Sequence, residues 1–184
     1  MDEDSTLLQA IRKLDQPALI AVFDQFAPRL FRYALRMCGD PIVADDIVGE
    51  VFRKLIDSLK KGKGPNNNLR SYLYQTAYHE LVNQARTVRH HVDLTDDLPA
   101  EPEDRPEIKY AGEEEKADLL SVLLTQLSDN QRHVIYFRFF EELSLKETAD
   151  ILGLSITNIK VIQNRAIAKL HQVLQNQIEK NYVQ

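Results

Sequence analysis

Residues 149–165, with the sequence ADILGLSITNIKVIQNR, place a glycine between two segments of helical periodicity. Upstream, Ser144 and Glu147 have the spacing of a capping box, so a helix of about two turns is expected to start at Ser144. Gly153 suits the left-handed C-cap that ends this helix, and Ser155 suits the N-cap of the longer helix that follows. The combination predicts a helix-turn-helix.

The helix after this corner has an apolar face, which is formed by Ile156, Ile159, Ile162, Ala166, Ile167, Leu170 and Leu174. Its opposite face has short polar groups near the helix start and longer donors one turn later, as a reader of the DNA major groove requires. The DNA-binding candidates are Ser155, Thr157, Asn158, Lys160, Val161, Asn164 and Arg165. Helical hairpins with a glycine corner also occur in proteins that never touch DNA, so the corner alone leaves both interpretations open.

The rest of the chain is also predicted to be helical, because apolar and polar residues never alternate for long. Helices are expected around residues 7–14, over 17–38 with a bend or restart at Pro28, from Pro41 to about Leu59, and from Leu69 to about Arg89. Asp40 suits the N-cap before Pro41, and asparagines of KKGKGPNNN suit the cap before Leu69. Ser128 and Gln131 mark one more helix start.

Charge divides the chain into three parts. Residues 1–92 carry 13 Lys and Arg against 11 Asp and Glu, residues 93–115 carry 2 against 10, and residues 116–184 carry 8 against 7. The middle part also contains prolines among its acids, so it cannot bury enough apolar surface to fold alone. We therefore predict an all-α protein with two small helical domains, 1–92 and 116–184, joined by an acidic flexible linker, 93–115.

Composition argues against several classes of protein. No apolar run is long enough to cross a bilayer, and the N-terminus is acidic where a signal peptide is basic, which predicts a cytoplasmic protein without membrane insertion. The lone cysteine, Cys38, cannot form an internal disulfide and has no Cys or His at ligand spacing. We expect it to be a buried small hydrophobe. No metal site and no cofactor is predicted.

Two further helices have unusual outward stripes. Around residues 69–89 the apolar arc consists of Leu73, Tyr74, Ala77, Leu81, Ala85 and Val88, and the polar stripe consists of Tyr72, Gln75, His79, Asn83 and Arg86. An aromatic ring, amides, a histidine and an arginine in one line suit stacking on bases and hydrogen bonding to bases and phosphates. A solvated helix face with one exposed tyrosine explains the stripe equally well.

The helix from Pro41 to Leu59 hides about half of its circumference. Its apolar residues are Ile47, Val48, Val51, Phe52, Leu55 and Leu59, and its outward stripe is Asp46, Gly49, Glu50, Arg53 and Asp57. A glycine inside a helix costs about 1 kcal/mol relative to alanine. Gly49 therefore either allows the backbone of a partner protein to approach the helix closely, or lowers the stability of a solvent-exposed face without a functional role.

Three segments of the chain resemble one protein family. FDQFAPRLFRYALRMCGDPIVADDIVGEVFRKL is similar to region 2 of the sigma-70 family, in its extracytoplasmic-function (ECF) group. LRSYLYQTAYHELVNQAR is similar to the part of that region that melts the promoter and reads the −10 element. LSDNQRHVIYFRFFEELSLKETADILGLSITNIKVIQNRAIAKL is similar to region 4, which reads the −35 element. The resemblance implies an initiation factor that binds core RNA polymerase and directs it to particular promoters.

By position, the resemblance assigns roles to three sets of residues. It implies polymerase-clamp binding by Asp45, Asp46, Ile47, Val48, Glu50, Val51 and Phe52, with Gly49 where a glutamine is common. It implies −10 reading and melting by the loop from Lys60 to Asn68 and the stripe after it, namely Lys63, Asn66, Asn67, Asn68, Tyr72, Gln75, His79, Asn83 and Arg86. Tyr72 replaces the family's tryptophan, and Gln75 replaces its usual arginine. Base reading at −35 falls on Lys160, Val161, Asn164 and Arg165, while Ile162 replaces a frequent arginine.

The resemblance also gives the acidic linker a role. In the family this segment runs through basic polymerase channels built for nucleic acid, where the ten carboxylates in residues 93–115 would imitate a phosphate backbone. A plain disordered spacer explains the composition as well. The implied partners are core RNA polymerase, double-stranded and melted promoter DNA, and an anti-sigma factor as an optional regulator.

Two other classes of protein account for parts of the sequence. A helix-turn-helix repressor or activator would bind a palindromic operator without polymerase, using its N-terminal half for a ligand or for dimerisation. A helical metalloenzyme would use His79, Glu80 and Asn83, or His90 and His91. Adjacent histidines rarely converge on one metal, and neither HExxH nor a paired Glu-x-x-His motif is present. We therefore predict that the protein is not an enzyme.

Overall fold

The computed structural model describes residues 3–92 and 123–182, with side chains described over 6–86 and 123–176. The regular structure over these residues is helical throughout, which confirms the predicted all-α class. The chain divides into two compact units. The predicted linker, 93–115, lies outside the described residues, so the exact domain boundaries stay predictions.

The described residues of the first domain form four helices, α1 (Glu3–Arg12), α2 (Gln16–Cys38), α3 (Pro41–Lys60) and α4 (Leu69–Val92). Helix α2 packs against α1, α3 and α4, and α3 packs against α4. Asp40 caps α3 as predicted, because its carboxylate accepts from the backbone N–H groups of Ile42 and Val43 at 2.8 and 3.2 Å. Tyr33 and Tyr74 meet edge to face in the core, with ring centroids 5.5 Å apart.

Three expectations for the first domain are wrong. The predicted restart at Pro28 does not occur, because helix α2 is continuous and the buried residues Phe26 and Leu30 hold both sides of the proline in the core; the alternative of a bend stays a prediction. Cys38 is exposed, since it is the last residue of α2, and its thiol donates to the backbone oxygen of Asp40 at 3.3 Å. Ala85 is exposed because periodicity defines a face but not how far a neighbour covers it.

The other predicted apolar positions of α3 and α4 behave as expected where the structure describes their side chains. All six apolar residues of α3 are buried, and so are Leu73, Tyr74, Ala77 and Leu81 of α4. The side chain of Val88 lies outside the described residues.

The described part of the second domain contains α5 (Asp129–Ile135), a π-helical segment (Tyr136–Phe140), α6 (Leu145–Leu152) and α7 (Ile156–Tyr182), and residues 123–125 ahead of them are also helical. The predicted start of α5 is confirmed, since Ser128 donates its backbone N–H to Gln131 Oε1 at 3.0 Å. Helix α5 packs against α7, and the core between them includes Leu124, Leu127, Ile135 and Ala166.

Two features of this domain differ from the sequence-based expectation. The π-helical segment is not predicted by periodicity, and the bond from Glu141 N to Tyr136 O at 3.1 Å has its i to i+5 spacing. Ile156, assigned to the apolar face of α7, is 43% exposed, whereas Ile159 one turn later is fully buried. The apolar contact of α7 therefore starts one turn after the helix does.

Candidate nucleic-acid interface

The predicted glycine corner is present between α6 and α7. The capping box at Ser144 forms in both directions, with Ser144 N to Glu147 Oε2 at 2.8 Å and Glu147 N to Ser144 Oγ at 3.1 Å. Gly153 ends α6 with φ 65° and ψ 32°, a left-handed conformation that glycine adopts without a steric penalty. Ser155 caps α7, because its hydroxyl accepts from Asn158 N at 3.2 Å.

Helix α7 presents all of its predicted DNA-binding positions to solvent. The exposed set is Ser155, Thr157, Asn158, Lys160, Val161, Asn164 and Arg165. Ile159 and Ala166 lie on the buried side at 0% exposure, so the helix is fixed by one face and open along the other. Its first turn offers hydroxyl, amide and backbone donors for phosphates, and the next turns offer longer donors for base edges.

Arg138 of the π-helical segment forms hydrogen bonds that hold α7 in place, and no local sequence pattern predicts this role. Its Nε donates to Gln163 Oε1 on α7 at 3.1 Å, and its Nη1 donates to the backbone oxygen of Leu143 just before α6. One guanidinium therefore joins the π-helical segment, the start of α6 and α7. A rigid fork of donors suits such a three-way contact better than a lysine would.

The residues between α3 and α4 form a defined loop, which we call the asparagine loop (residues 61–68). Ser58 holds it from α3, since Ser58 O accepts from Lys63 N at 2.9 Å and Ser58 Oγ donates to Lys63 O at 3.0 Å. Gly62 turns the chain with φ 67°. Gly64 lies so close to Leu59 that an added Cβ would be 2.4 Å from Leu59 Cδ2.

The predicted −10 residues in this loop are all exposed. Lys63, Asn66, Asn67 and Asn68 project from it, while Pro65 is buried. Asn68 also caps α4, as predicted, by accepting from Ser71 N at 2.9 Å. Asn66 accepts through Oδ1 from Arg12 Nη2 of α1, a contact between residues 54 positions apart. A fixed loop thus presents a cation and several amides to solvent.

The polar stripe of α4 follows directly after this loop. Gln75, His79, Asn83 and Arg86 are exposed on it. Tyr72 is half-buried rather than fully exposed, and its backbone oxygen accepts from Thr76 Oγ1 at 2.8 Å. The Tyr72 residue is therefore only partly accessible to a stacking partner.

Helix α3 divides the predicted polymerase-binding residues into two groups. Ile47, Val48, Val51 and Phe52 are buried in the domain's own core, and their assignment to the polymerase stays a prediction. The carboxylates of Asp45 and Asp46 are exposed, and that of Glu50 is partly exposed. The division follows from the helical period, because a helix of 3.6 residues per turn places some residues of a continuous segment on the core face and others on the solvent face.

Arg53, which the resemblance does not single out, is bonded to two carboxylates of the α3 stripe. Its Nε and Nη2 donate to Glu50 at 2.8 and 2.5 Å, and its Nη1 donates to Asp57 Oδ2 at 2.9 Å. The hydrogen bond from Arg53 lowers the pKa of Glu50, and the pKa of Arg53 is raised in return. Glu50 is thereby held in place, whereas Asp45 and Asp46 extend the acidic surface towards the start of the helix.

Lys54 connects α3 to α4 through an ion pair with Glu80, whose oxygen lies 2.5 Å from Lys54 Nζ. The Glu80 side chain is 15% exposed, so it is committed to the domain rather than available to a metal beside His79. Over the described residues, no group of three or more His, Cys, Asp and Glu side chains could hold a metal ion. Within the same residues, no helix is both long and apolar enough to cross a membrane.

Comparisons with known proteins agree with this architecture. The family profile "Sigma-70 region 2" matches residues 22–91, and "Sigma-70, region 4" matches residues 123–172. RNA polymerase sigma factor YlaC of Bacillus subtilis is 28% identical over 81% of this chain and 87% of its own. ECF RNA polymerase sigma factor ShbA of Streptomyces griseus is 28% identical over 92% of this chain and 96% of its own.

A solved structure has the same fold. Sigma factor RpoE of Bartonella quintana, crystallised in complex with the anti-sigma factor NepR, superposes with a TM-score of 0.72 at 22% identity. The superposition covers 84% of this chain and 95% of RpoE.

The protein has two helical domains. One contains a helix-turn-helix, and the other has a fixed polar loop beside a stripe that includes an aromatic residue. Together with the matches above, this architecture is that of a promoter-recognition protein. The chain belongs to the sigma-70 family, in its ECF group. It is a transcription initiation factor that binds core RNA polymerase and directs it to promoters. A regulator acting without polymerase is not favoured, because region 2 and region 4 both match in one chain.

Proposed function

We propose that the two domains divide promoter recognition between a helix and a loop. Helix α7 reads the −35 element in the major groove through Lys160, Val161, Asn164 and Arg165, while Ser155, Thr157 and Asn158 position it on phosphates. The asparagine loop and the α4 stripe read and open the −10 element. The observation that carries the proposal is that all the assigned residues except the half-buried Tyr72 are exposed, while Arg138 contacts α7 and Ser58 holds the loop.

Strand opening is assigned to Tyr72 and its neighbours. Extruding a base from the stack costs a few kcal/mol, and a protein offsets this by capturing the base that has left. A stacked aromatic ring contributes about 1–3 kcal/mol per base. The half-buried ring of Tyr72 lies at the start of α4, four residues after Asn68 in sequence, where a base held by the loop would meet it.

The experiment on Tyr72 separates binding from melting. Tyr72→Ala should leave polymerase association and closed-complex formation intact and should reduce the permanganate reactivity of unpaired −10 thymines. A pre-melted bubble template should restore transcription. The matched control is Tyr72→Phe, which keeps the aromatic ring and should open the promoter as the wild type does. Equal defects of Tyr72→Ala on duplex and bubble templates would contradict the assignment.

Binding of the polymerase clamp is assigned to the exposed carboxylates of Asp45, Asp46 and Glu50. Asp45→Arg with Asp46→Arg should abolish holoenzyme formation while leaving the helical circular-dichroism signal unchanged, because neither side chain belongs to the core. Asp24→Arg is the control, since it reverses an exposed charge on α2 of the same domain. Wild-type holoenzyme formation by the double variant would remove this assignment.

We also propose that the protein acts in the cytoplasm, performs no catalysis of its own and is regulated by an anti-sigma factor. The acidic linker is assigned to basic channels of the polymerase that otherwise hold nucleic acid. The complex of the structural neighbour RpoE with NepR supports the regulatory part by analogy of fold. Capture of partners by the tagged protein, with core polymerase as the internal reference, tests it: recovery of polymerase alone under inducing and non-inducing conditions would oppose an anti-sigma factor.

A further inference from the structure

Helix α1 contributes a residue to the surface that is assigned to the −10 element. Arg12 is the last residue of α1, and its guanidinium donates to Asn66 Oδ1 in the asparagine loop. Neither the helix periodicity nor the family resemblance places Arg12 at a functional site. Both side chains are exposed, so the pair lies on the outer surface of the domain and not in its core.

The backbone on both sides of this contact is fixed. Next to Arg12, Ile11 is fully buried, and Leu14 then turns the chain with φ 58°. On the loop side, Ser58 pairs with both backbone groups of Lys63, and Gly64 is packed against Leu59. A hydrogen bond between two fixed segments selects one side-chain geometry with little further loss of freedom.

The chemistry of the contact determines which way the Asn66 amide faces. A guanidinium only donates hydrogen bonds, so the amide oxygen must be the atom that meets Arg12. The amide NH₂ group, which has two donors and no acceptor, is then the part left for a ligand. An amide in this orientation recognises an acceptor on a base edge, such as a carbonyl oxygen or an unprotonated ring nitrogen.

We propose that Arg12 is a specificity-determining positioning residue for −10 recognition, which holds Asn66 so that the asparagine loop offers hydrogen-bond donors to an acceptor on one unstacked base. The inference rests on the assignment of the loop to the −10 element. It adds that α1 belongs to the recognition surface and that one position of the −10 element is read by donors.

The test compares variants in reconstituted holoenzyme on a promoter library randomised across the −10 element. Arg12→Ala should reduce the base preference at one −10 position about three- to tenfold, the range of one lost hydrogen bond. Preferences at the other −10 positions and at −35 should not change. The control is Lys13→Ala, which removes a positive charge from the exposed residue next to Arg12 and should leave every preference unchanged.

Two further variants identify the mechanism. Arg12→Ala combined with Asn66→Ala should be no worse than Asn66→Ala alone, because the two residues act through one contact. Asn66→Asp keeps an acceptor for Arg12 but has no donors, so it should lose the preference as fully as Asn66→Ala. Retention of the preference by Asn66→Asp would overturn the assignment of donors.

Outcomes that overturn the inference differ from those that overturn the assigned function. A uniform loss by Arg12→Ala on all sequences would mean a phosphate contact, and additive losses in the double variant would mean independent roles. Either result would show that Arg12 is not a positioning residue. The same conclusion would follow if Arg12→Ala had a normal preference and Asn66→Ala did not. In each of these cases the assignment of the asparagine loop to the −10 element would remain. A normal −10 preference in Asn66→Ala overturns the inference, whereas the loop assignment itself falls only if Lys63→Ala and Asn67→Ala also keep the normal preference.

Discussion

The two domains present their polar surfaces on different kinds of backbone. In the second domain, the candidate residues follow one another along α7, and a single apolar face holds them in register. In the first domain, the amides project from the asparagine loop, whose shape depends on contacts with α1 and α3. A double helix has a regular groove that a straight helix can follow, whereas an unstacked base has to be enclosed. The difference in backbone therefore corresponds to the difference between duplex and single-strand targets.

The two surfaces also differ in what stabilises them. The largest effect that we expect is a pH-dependent loss of stability in the second domain, where α5 packs against α7. Burial lowers the pKa of His133 in α5 to about 4, a shift that Asp129 opposes and Arg132 reinforces. The folded state therefore keeps His133 neutral. Above the unfolded-state pKa of about 6.5, His133 is neutral in both states and does not lower the free energy of unfolding of the second domain. As the pH falls from about 6.5 to 4, the unfolded state gains a proton first, which should destabilise the second domain by about 3 kcal/mol.

This pH effect can be measured by urea unfolding followed residue by residue with NMR. Resonances of α5 and α7 should lose stability as the pH is lowered, and His133→Leu should remove most of that dependence. If the wild-type and His133→Leu proteins have parallel pH profiles, the histidine is not the group responsible.

The next largest effect tests whether the loop surface depends on packing with α3. Gly64→Ala should destabilise the first domain by about 2 kcal/mol, because its Cβ would lie 2.4 Å from a buried Leu59 methyl group. It should also weaken the −10 preference. Gly49→Ala is the control, since nothing lies within 4 Å of its added Cβ and the helix should gain about 1 kcal/mol. Equal melting temperatures of the two variants would show that the loop tolerates movement.

A third prediction examines the helical surface. Arg165→Ala should cost about 1–3 kcal/mol if the guanidinium makes a bidentate base contact, and the loss should concentrate at particular −35 base pairs. Binding is measured on a panel of −35 variants at one salt concentration. Lys169→Ala, an exposed cation one turn later, is expected to have a smaller and uniform effect. Uniform loss by Arg165→Ala would instead indicate a phosphate contact.

The smallest effect concerns the link between α3 and α4. Lys54→Met should destabilise the first domain by about 1 kcal/mol, because it leaves the mostly buried Glu80 without its ion pair. Arg53→Met should change stability less, since both of its acidic partners lie on α3 itself and the pairs are exposed. Chemical denaturation of both variants measures the difference, and a larger loss in Arg53→Met would contradict it.

Local sequence patterns predict the helical surface better than the loop surface. Capping boxes, Gly153 and apolar periodicity are signals within a few residues, and they identify the helix-turn-helix and the exposed face of α7. One contact that fixes the loop, Arg12 with Asn66, joins residues 54 positions apart. Lys54 with Glu80 and Arg138 with Gln163 also join residues far apart in sequence. Periodicity also misjudges the ends of buried faces, as Ile156 and Ala85 show. The roles of the individual site residues stay predictions.

The double pairing of Ser58 with Lys63 also has a thermodynamic consequence for promoter opening. A residue whose backbone becomes ordered only on binding loses about 1–2 kcal/mol of conformational entropy. In the asparagine loop this loss occurs when the domain folds, because Ser58, Gly64 and Arg12 already hold the loop in the free protein. The entropy change of promoter opening should therefore come from the DNA strands that separate, with little contribution from ordering of this loop.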